Sequence, residues 1–128
     1  MDENSPRPSQ VLAQSEVELL RRALLEWGGP ARCSDELAVA IGFRDFADLV
    51  EESRRLREML AKDVQISRVD WARIVLGVEI VFVSDLAGSG VEWATTTGFG
   101  DEVTVMAIRS VQRKLAGVVR PYYGRRPQ

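Results

Sequence analysis

Carboxylates are the side chains on which any chemistry in this sequence would have to rest. The 128 residues contain no histidine and a single cysteine, Cys33. Serine or cysteine nucleophiles with a histidine base are therefore excluded within this chain, as is a zinc site built from cysteine and histidine. Cys33 precedes a predicted helix start, where its thiol is either activated by the helix dipole or, as we expect, a small packing residue. We predict no cofactor, no metal and no catalytic residue, and we favour a protein that is not an enzyme.

The carboxylate of Glu79 lies inside the most apolar run of the chain, IVLGVEIVFV. An unpaired carboxylate would be costly to bury there. We therefore expect a buried polar pair between Glu79 and Arg109 of the last predicted helix. The alternative is that Glu79 is a general acid or base whose pKa is raised by its surroundings.

A polar, glycine-rich segment, SDLAGSGVEWATTTGFGDE at residues 84–102, separates the last two apolar runs. It is longer than most connections in a compact domain, and such segments are commonly functional. One interpretation is structural: Trp93 closes one end of the bundle and the glycines form turns. The other is an acidic, aromatic-anchored surface for a partner protein, with arginines of the last helix beside it. The candidate residues of that surface are Asp85, Ser89, Glu92, Trp93, Thr97, Arg109 and Arg113.

A second candidate site lies in residues 34–57, which include the stretch ELAVAIGFRDFADLVEESRR. Ala38 and Gly42 are four residues apart, the spacing of the tight turn in a helix-turn-helix. Leu37-Ala38 with Gly42-Phe43 is similar to the turn of arabinose-regulator-type transcription factors, and this resemblance implies a DNA-binding regulator. The helix that would enter the major groove carries acids that phosphates repel, namely Asp45, Asp48, Glu51 and Glu52. We therefore predict a helical hairpin turned by Gly42, with DNA binding as the alternative.

Five helical segments are predicted to position these residues, because apolar side chains recur at spacings of three and four. The fourth is ambiguous, since residues 74–83 are rich in β-branched side chains and also suit a buried strand. Its length and the lack of a second strand favour a central helix. The fold class is thus all-α, a compact single-domain bundle of about five helices with a long ordered loop between the last two. The predicted helices cover about residues 10–27, 34–41, 45–61, 67–85 and 101–118.

Both ends of the chain are polar and contain prolines. We expect a flexible N-terminal segment over residues 1–9, a helical domain over 10–119 and a flexible basic tail over 120–128. Charge is uneven, because residues 103–128 carry +6 and the rest of the chain carries −8. We expect the arginines of the last helix to pair with acids of the body, although an acidic partner or a second copy would also suit them.

The composition is 45% hydrophobic and 28% charged, which is ordinary for a globular domain. No apolar run approaches the ~20 residues that span a bilayer. One cysteine suits a reducing cytoplasm, and the strong excess of arginine over lysine is typical of GC-rich bacterial codon usage. We therefore expect a cytoplasmic, bacterial protein with no membrane or nucleic-acid partner.

The sequence as a whole favours an adaptor or a small acidic inhibitor that binds another protein, or a second copy of itself, through the loop at residues 84–102. The first alternative is the DNA-binding regulator at residues 34–57. The second is a small-molecule site or a carboxylate-based enzyme site at the same loop.

Overall fold

A computed structural model of the chain describes residues 4–123. Over that range the backbone forms seven α-helices and two 3-10 turns and contains no strand, which confirms the predicted all-α class. Two helices more than predicted are present because short helices form near the N-terminus and within residues 84–102. The α-helices are α1 (Pro8–Val11), α2 (Gln14–Leu25), α3 (Asp35–Ile41), α4 (Phe46–Lys62), α5 (Arg68–Val83), α6 (Trp93–Thr97) and α7 (Asp101–Val119), and the 3-10 turns are Gly90–Glu92 and Arg120–Tyr122.

Local sequence signals set several helix ends. The Ser34 hydroxyl accepts a hydrogen bond from the backbone of Leu37 at 3.1 Å and so caps α3. Ser67 caps α5 in the same way, accepting from the backbone of Asp70 at 3.1 Å. Gly42 ends α3 with φ of 118°, a conformation that favours glycine. The helices predicted to begin at residues 34 and 67 begin with these caps, and the predicted turn at Gly42 is present.

Helix α5 lies at the centre of the bundle. Residues 74–83, which also suited a strand, are helical. The helix packs against α2, α3 and α7, and both 3-10 turns contact it. Its buried residues lie on nearly all sides, so the neighbouring helices must surround it. They are Asp70, Trp71, Ala72, Ile74, Val75, Gly77, Val78 and Val81.

The N-terminal residues pack against the start of α5. The buried indole N–H of Trp71 donates to the Pro6 carbonyl at 3.0 Å, and Ser5 donates to the carbonyl of Ile66. The backbone N–H of Ser9 donates to Asp63 at 2.8 Å. The structure therefore differs from the expected loose segment at residues 5–9, because a buried indole N–H requires an acceptor and Pro6 supplies it. Residues 1–3 of that segment lie outside the described residues.

The predicted C-terminal tail begins with the 3-10 turn Arg120–Tyr122, which contacts α5 and α7. Residues 124–128 of the predicted tail lie outside the described residues.

Buried charges are paired across the helices. Asp70 accepts from Arg55 of α4 at 3.0 Å and from Arg73 at 3.0 Å. Glu16 of α2 forms an ion pair with Lys114 of α7 at 2.8 Å. Burial would raise the pKa of Glu16, but hydrogen bonds from Lys114, Ser110 and the Ala13 backbone outweigh it and hold that pKa below its ordinary value.

The lowered pKa of Glu16 makes a prediction for acid unfolding. A carboxylate with a lowered folded-state pKa contributes stability above its unfolded-state pKa and loses it as the pH falls through the folded-state value. Glu16→Gln should therefore lower the free energy of unfolding by about 1–2 kcal/mol at pH 7, and the gap to wild type should close below about pH 4.5. Urea unfolding from pH 7 to pH 3 measures both effects.

The matched control for that experiment is Glu18→Gln on the same helix. Glu18 pairs with Arg21 at the surface, where both side chains are well exposed, so its loss should change stability by less than about 0.5 kcal/mol. An effect of Glu16→Gln that persisted unchanged at pH 3 would contradict the role given to the Lys114 pair.

Candidate partner-binding surface

The connection between α5 and α7 is a folded segment. The hydroxyl of Ser84 accepts from the backbone of Ala87 at 2.9 Å, and Asp85 Oδ1 accepts from the backbone of Val91 at 2.8 Å. Gly90 has φ of 46°, and a Cβ there would lie 2.5 Å from the Cα of Asp85. Only glycine fits this close approach. The segment therefore has a defined shape that its own turns impose.

Trp93 of α6 is fully buried. Its ring makes an edge contact with Phe82 at 5.5 Å and stacks on Phe99 at 6.4 Å between centroids. Its indole N–H donates to the Thr104 hydroxyl at 2.8 Å. The expectation of an exposed aromatic anchor is thus not met, because the apolar rings and a hydroxyl of α7 satisfy both parts of the indole inside the fold. Trp93 therefore anchors the buried side of the segment to the bundle.

Glu26, just after α2, holds the same segment from a second side. Its carboxylate is buried and accepts from the Ser89 hydroxyl at 2.7 Å and from the Thr96 hydroxyl. Arg22 lies 3.6 Å from the other carboxylate oxygen and donates to the Thr96 carbonyl. Ser89, a predicted surface residue, is therefore buried. Glu26 was not among the residues predicted from the sequence, although its spacing from Leu19 and Ala23 places it on the buried face of α2.

The outer side of this region carries the most exposed large apolar side chains of residues 4–123. Five of them are 63–99% exposed, whereas no other large apolar side chain in that range exceeds 45%. All five belong to the segment or to the adjoining helix ends. Concentrated exposure of this kind marks interaction sites in folded proteins. We call these five side chains the apolar pole: Val83, Leu86, Val91, Val103 and Met106.

The predicted charged residues flank the apolar pole. Asp85 and Glu92 are exposed beside Leu86 and Val91. Arg109 and Arg113 are exposed on α7 and follow Met106 at the three- and seven-residue spacings of one helix face. Thr97 is half-buried, and its hydroxyl donates to the Trp93 carbonyl at 2.6 Å. Of the seven predicted residues, four are exposed near the pole, while Ser89, Trp93 and Thr97 support it.

The expected ion pair between Glu79 and Arg109 is wrong, because Gln112 stands between the two side chains. Gln112 donates to the Glu79 carboxylate and accepts from Arg109 at 3.0 Å. Glu79 is half-buried, and burial raises its pKa, while the Gln112 hydrogen bond and the Arg109 charge oppose that rise. The raised pKa is the direction expected of a general acid.

The helical hairpin of α3 and α4 is held to α5 by Arg73. Its guanidinium donates to the Gly42 carbonyl at 2.7 Å and lies 5.5 Å from the ring centre of Phe43. Asp35 also accepts from the backbone of Phe46 at 2.9 Å, which joins the two helices.

Burial and the nearby Asp35 raise the pKa of the Cys33 thiol, so this thiol is not activated by the start of α3.

Comparison with family models, curated proteins and solved structures found no match to this chain. Among residues 4–123, no helix combines the length and apolar character needed to cross a membrane. The same residues contain no group of three or more histidine, cysteine or acidic side chains placed to hold a metal ion. Function is therefore inferred from the surfaces of the fold.

The burial of Trp93 leads to a stability prediction. Trp93→Ala should lower the free energy of unfolding by about 3–5 kcal/mol, because it leaves a cavity between Phe82 and Phe99. Trp93→Phe should cost less, about 1–3 kcal/mol, because it keeps most of the packing and leaves Thr104 without its donor. Denaturant unfolding measures both. A loss below about 1 kcal/mol for the alanine variant would place the indole at the surface instead.

The environment of Glu79 leads to a second prediction. Glu79→Gln should change stability at pH 7 by less than about 1 kcal/mol, because the amide oxygen still accepts from Gln112. The pKa of Glu79 is raised on folding, so its favourable contribution is present at low pH and is lost as the pH rises through the folded-state value. Wild type should therefore lose stability relative to the variant between about pH 4 and pH 7. A loss of about 3 kcal/mol or more in the variant at pH 7 would instead indicate a buried ion pair.

Proposed function

We propose that this protein is a non-enzymatic protein-binding module, an adaptor or a small inhibitor, that contacts its partner through the apolar pole and the adjoining Arg109 and Arg113. The observation that carries the proposal is that, within residues 4–123, the strongly exposed aliphatic side chains all lie between residues 83 and 106. Side chains such as Leu86, which is 99% exposed, add nothing to the core of this chain. Buried against a partner, each would contribute about 1.5–3 kcal/mol of transfer free energy.

The shape of the surface supports the same function. Trp93 and Glu26 hold the backbone that presents Leu86 and Val91. Ordering a loop on binding costs free energy, and a surface held in place beforehand avoids that cost. The segment is therefore suited to docking as a rigid body.

Charge indicates which partner surface fits. Among the described residues, Arg109 and Arg113 have no carboxylate within 4.0 Å. Arginine is enriched in interfaces together with apolar side chains. A partner with an apolar patch next to carboxylates would complement this pole and its arginines.

A DNA-binding function receives less support. Helix α4 presents Glu51 on its exposed surface, with Asp48 and Glu52 partly exposed beside it. Phosphates would be repelled by these acids. The bonds of Arg73 and Asp35 account for the geometry of the hairpin without a nucleic-acid partner.

The test is affinity capture from the cells that express the protein, followed by native mass measurement. Wild type should retain a stoichiometric partner, and the double variant Leu86→Ser with Val91→Ser should retain at least about tenfold less, because both side chains lose apolar contact. The matched control is Val64→Ser, which removes an exposed valine between α4 and α5 and should capture normally.

Folding is checked by thermal unfolding, since exposed substitutions should change stability by no more than about 0.5 kcal/mol. A dimer that the double variant abolishes would identify the partner as a second copy. Capture of the same partner in equal yield by the double variant would show that the apolar pole is not the contact surface.

A further inference from the structure

A groove separate from the apolar pole runs between the end of α2 and the outer flank of α4. Its volume is about 930 Å³ and it is open to solvent. One end is apolar, formed by Leu25, Trp27, Phe46 and Val50. Gly28 allows the two walls to meet there, since a Cβ at its φ of 88° would lie 3.0 Å from a methyl of Val50. The groove therefore offers a closed apolar end to a flat or extended body.

The other end of the groove is basic. Arg54 and Arg57 line it from α4, and Arg21 of α2 is close enough to act on the charge of Arg57. Burial lowers the pKa of Arg57 first, and the positive charges of Arg54 and Arg21 lower it further. Like charges that converge in this way favour a negative charge nearby.

Two arginine donors at this end have no partner among residues 4–123. The Nε atoms of Arg21 and Arg57 are buried and have no hydrogen-bond partner. A buried donor without an acceptor is unfavourable, and an acceptor supplied by a ligand would relieve that cost. Arg55, which also lines the groove, contrasts with them because it is bonded to Glu52 and Asp70. The fold thus pairs Arg55 with two acids, whereas it pairs Arg21 only with Glu18 and leaves the Nε donors of Arg21 and Arg57 free.

Three acids line the groove, Glu51, Glu52 and Glu58, and Glu52 is bonded to Arg55. Glu51 and Glu58 are exposed and seven residues apart, so they share the outward face of α4. Phe46, Val50 and Arg57 follow the four- and seven-residue spacings of the flank that faces α2. The charge of Glu58 raises the pKa of Arg57, but this effect is smaller than the lowering by burial, Arg54 or Arg21. The groove therefore remains basic at the end where the arginines converge.

We propose that the groove between α2 and α4 binds an amphiphilic anion, a small molecule with a phosphate or carboxylate head and a flat apolar body. The head accepts hydrogen bonds from Arg54 and Arg57, with the charge of Arg21 nearby. The body packs on the apolar end at Leu25, Phe46 and Val50. This site does not depend on the proposed partner surface, because none of its residues belongs to the apolar pole.

The experiment uses three probes that separate head from body: 1-naphthyl phosphate, inorganic phosphate and 1-naphthol. Each is titrated into the full chain by calorimetry, and amide chemical shifts map the site. We expect saturable binding of 1-naphthyl phosphate with shifts in α2 and α4. Each half alone should bind at least about tenfold more weakly, because it keeps only one of the two contacts.

Variants locate the charge that holds the head. Arg57→Gln should weaken binding of 1-naphthyl phosphate by about tenfold, since it removes charge-assisted hydrogen bonds. Arg57→Lys keeps the charge but loses the bidentate guanidinium donor, so its affinity for 1-naphthyl phosphate should lie between those of wild type and Arg57→Gln. The matched control is Arg113→Gln on α7, which removes the same charge elsewhere and should change affinity by less than about twofold.

Four results would overturn the proposal. The first is no saturable binding of 1-naphthyl phosphate, and the second is equal weakening by Arg57→Gln and Arg113→Gln, which would indicate general charge attraction. The third is that 1-naphthol binds as tightly as 1-naphthyl phosphate, and the fourth is that inorganic phosphate binds as tightly as 1-naphthyl phosphate. Either result would show that only one half of the groove binds. Circular dichroism of each variant confirms that it is folded before titration.

Discussion

Burial of α5 is the constraint on which the other elements depend. A helix with apolar side chains on nearly every side is stable in water only when other elements enclose it. Helices α2, α3 and α7 do so, and Pro6 reaches the same helix because the indole N–H of Trp71 needs an acceptor. The few polar groups of α5 are matched by its neighbours, with arginines at Asp70 and Gln112 at Glu79. The order of the bundle follows from enclosing this one helix.

The segment between α5 and α7 is stabilised by buried side chains on its inner side and exposes aliphatic side chains to solvent. Fixing a backbone costs about 1–2 kcal/mol for each residue, and burial of Trp93 with the bonds at Glu26 offsets part of that cost. The exposed side chains of Leu86 and Val91 contribute nothing to that balance. An ordered backbone that displays unburied aliphatic side chains is consistent with selection for contact with another molecule.

The sequence predicted those features that depend on local chemistry. Caps at Ser34 and Ser67 and the turn at Gly42 follow from hydroxyls and a missing Cβ, which act within a few residues. The helical state of α5 followed from its length. The choice of Arg109 as the partner of Glu79 failed, because Arg109 and Gln112 occupy one side of α7 and only the rotation of α7 against α5 decides which is nearer. Burial of Trp93 was one of two open interpretations and the role of Glu26 was not predicted, because both depend on packing between distant segments, which no local pattern records.

The arginines of this protein divide by what they face. Arg55 and Arg73 meet Asp70, and Arg22 meets Glu26, so these three hold elements together. The expected pairing of the last helix with the acidic body is made instead by Lys114 with Glu16. Arg109 and Arg113 follow the apolar pole along α7, and Arg54 and Arg57 line the basic end of the groove, with no carboxylate within 4.0 Å of these four among residues 4–123. Cations that form no ion pair within the fold, together with exposed apolar surface, are the combination from which interfaces and ligand sites are built.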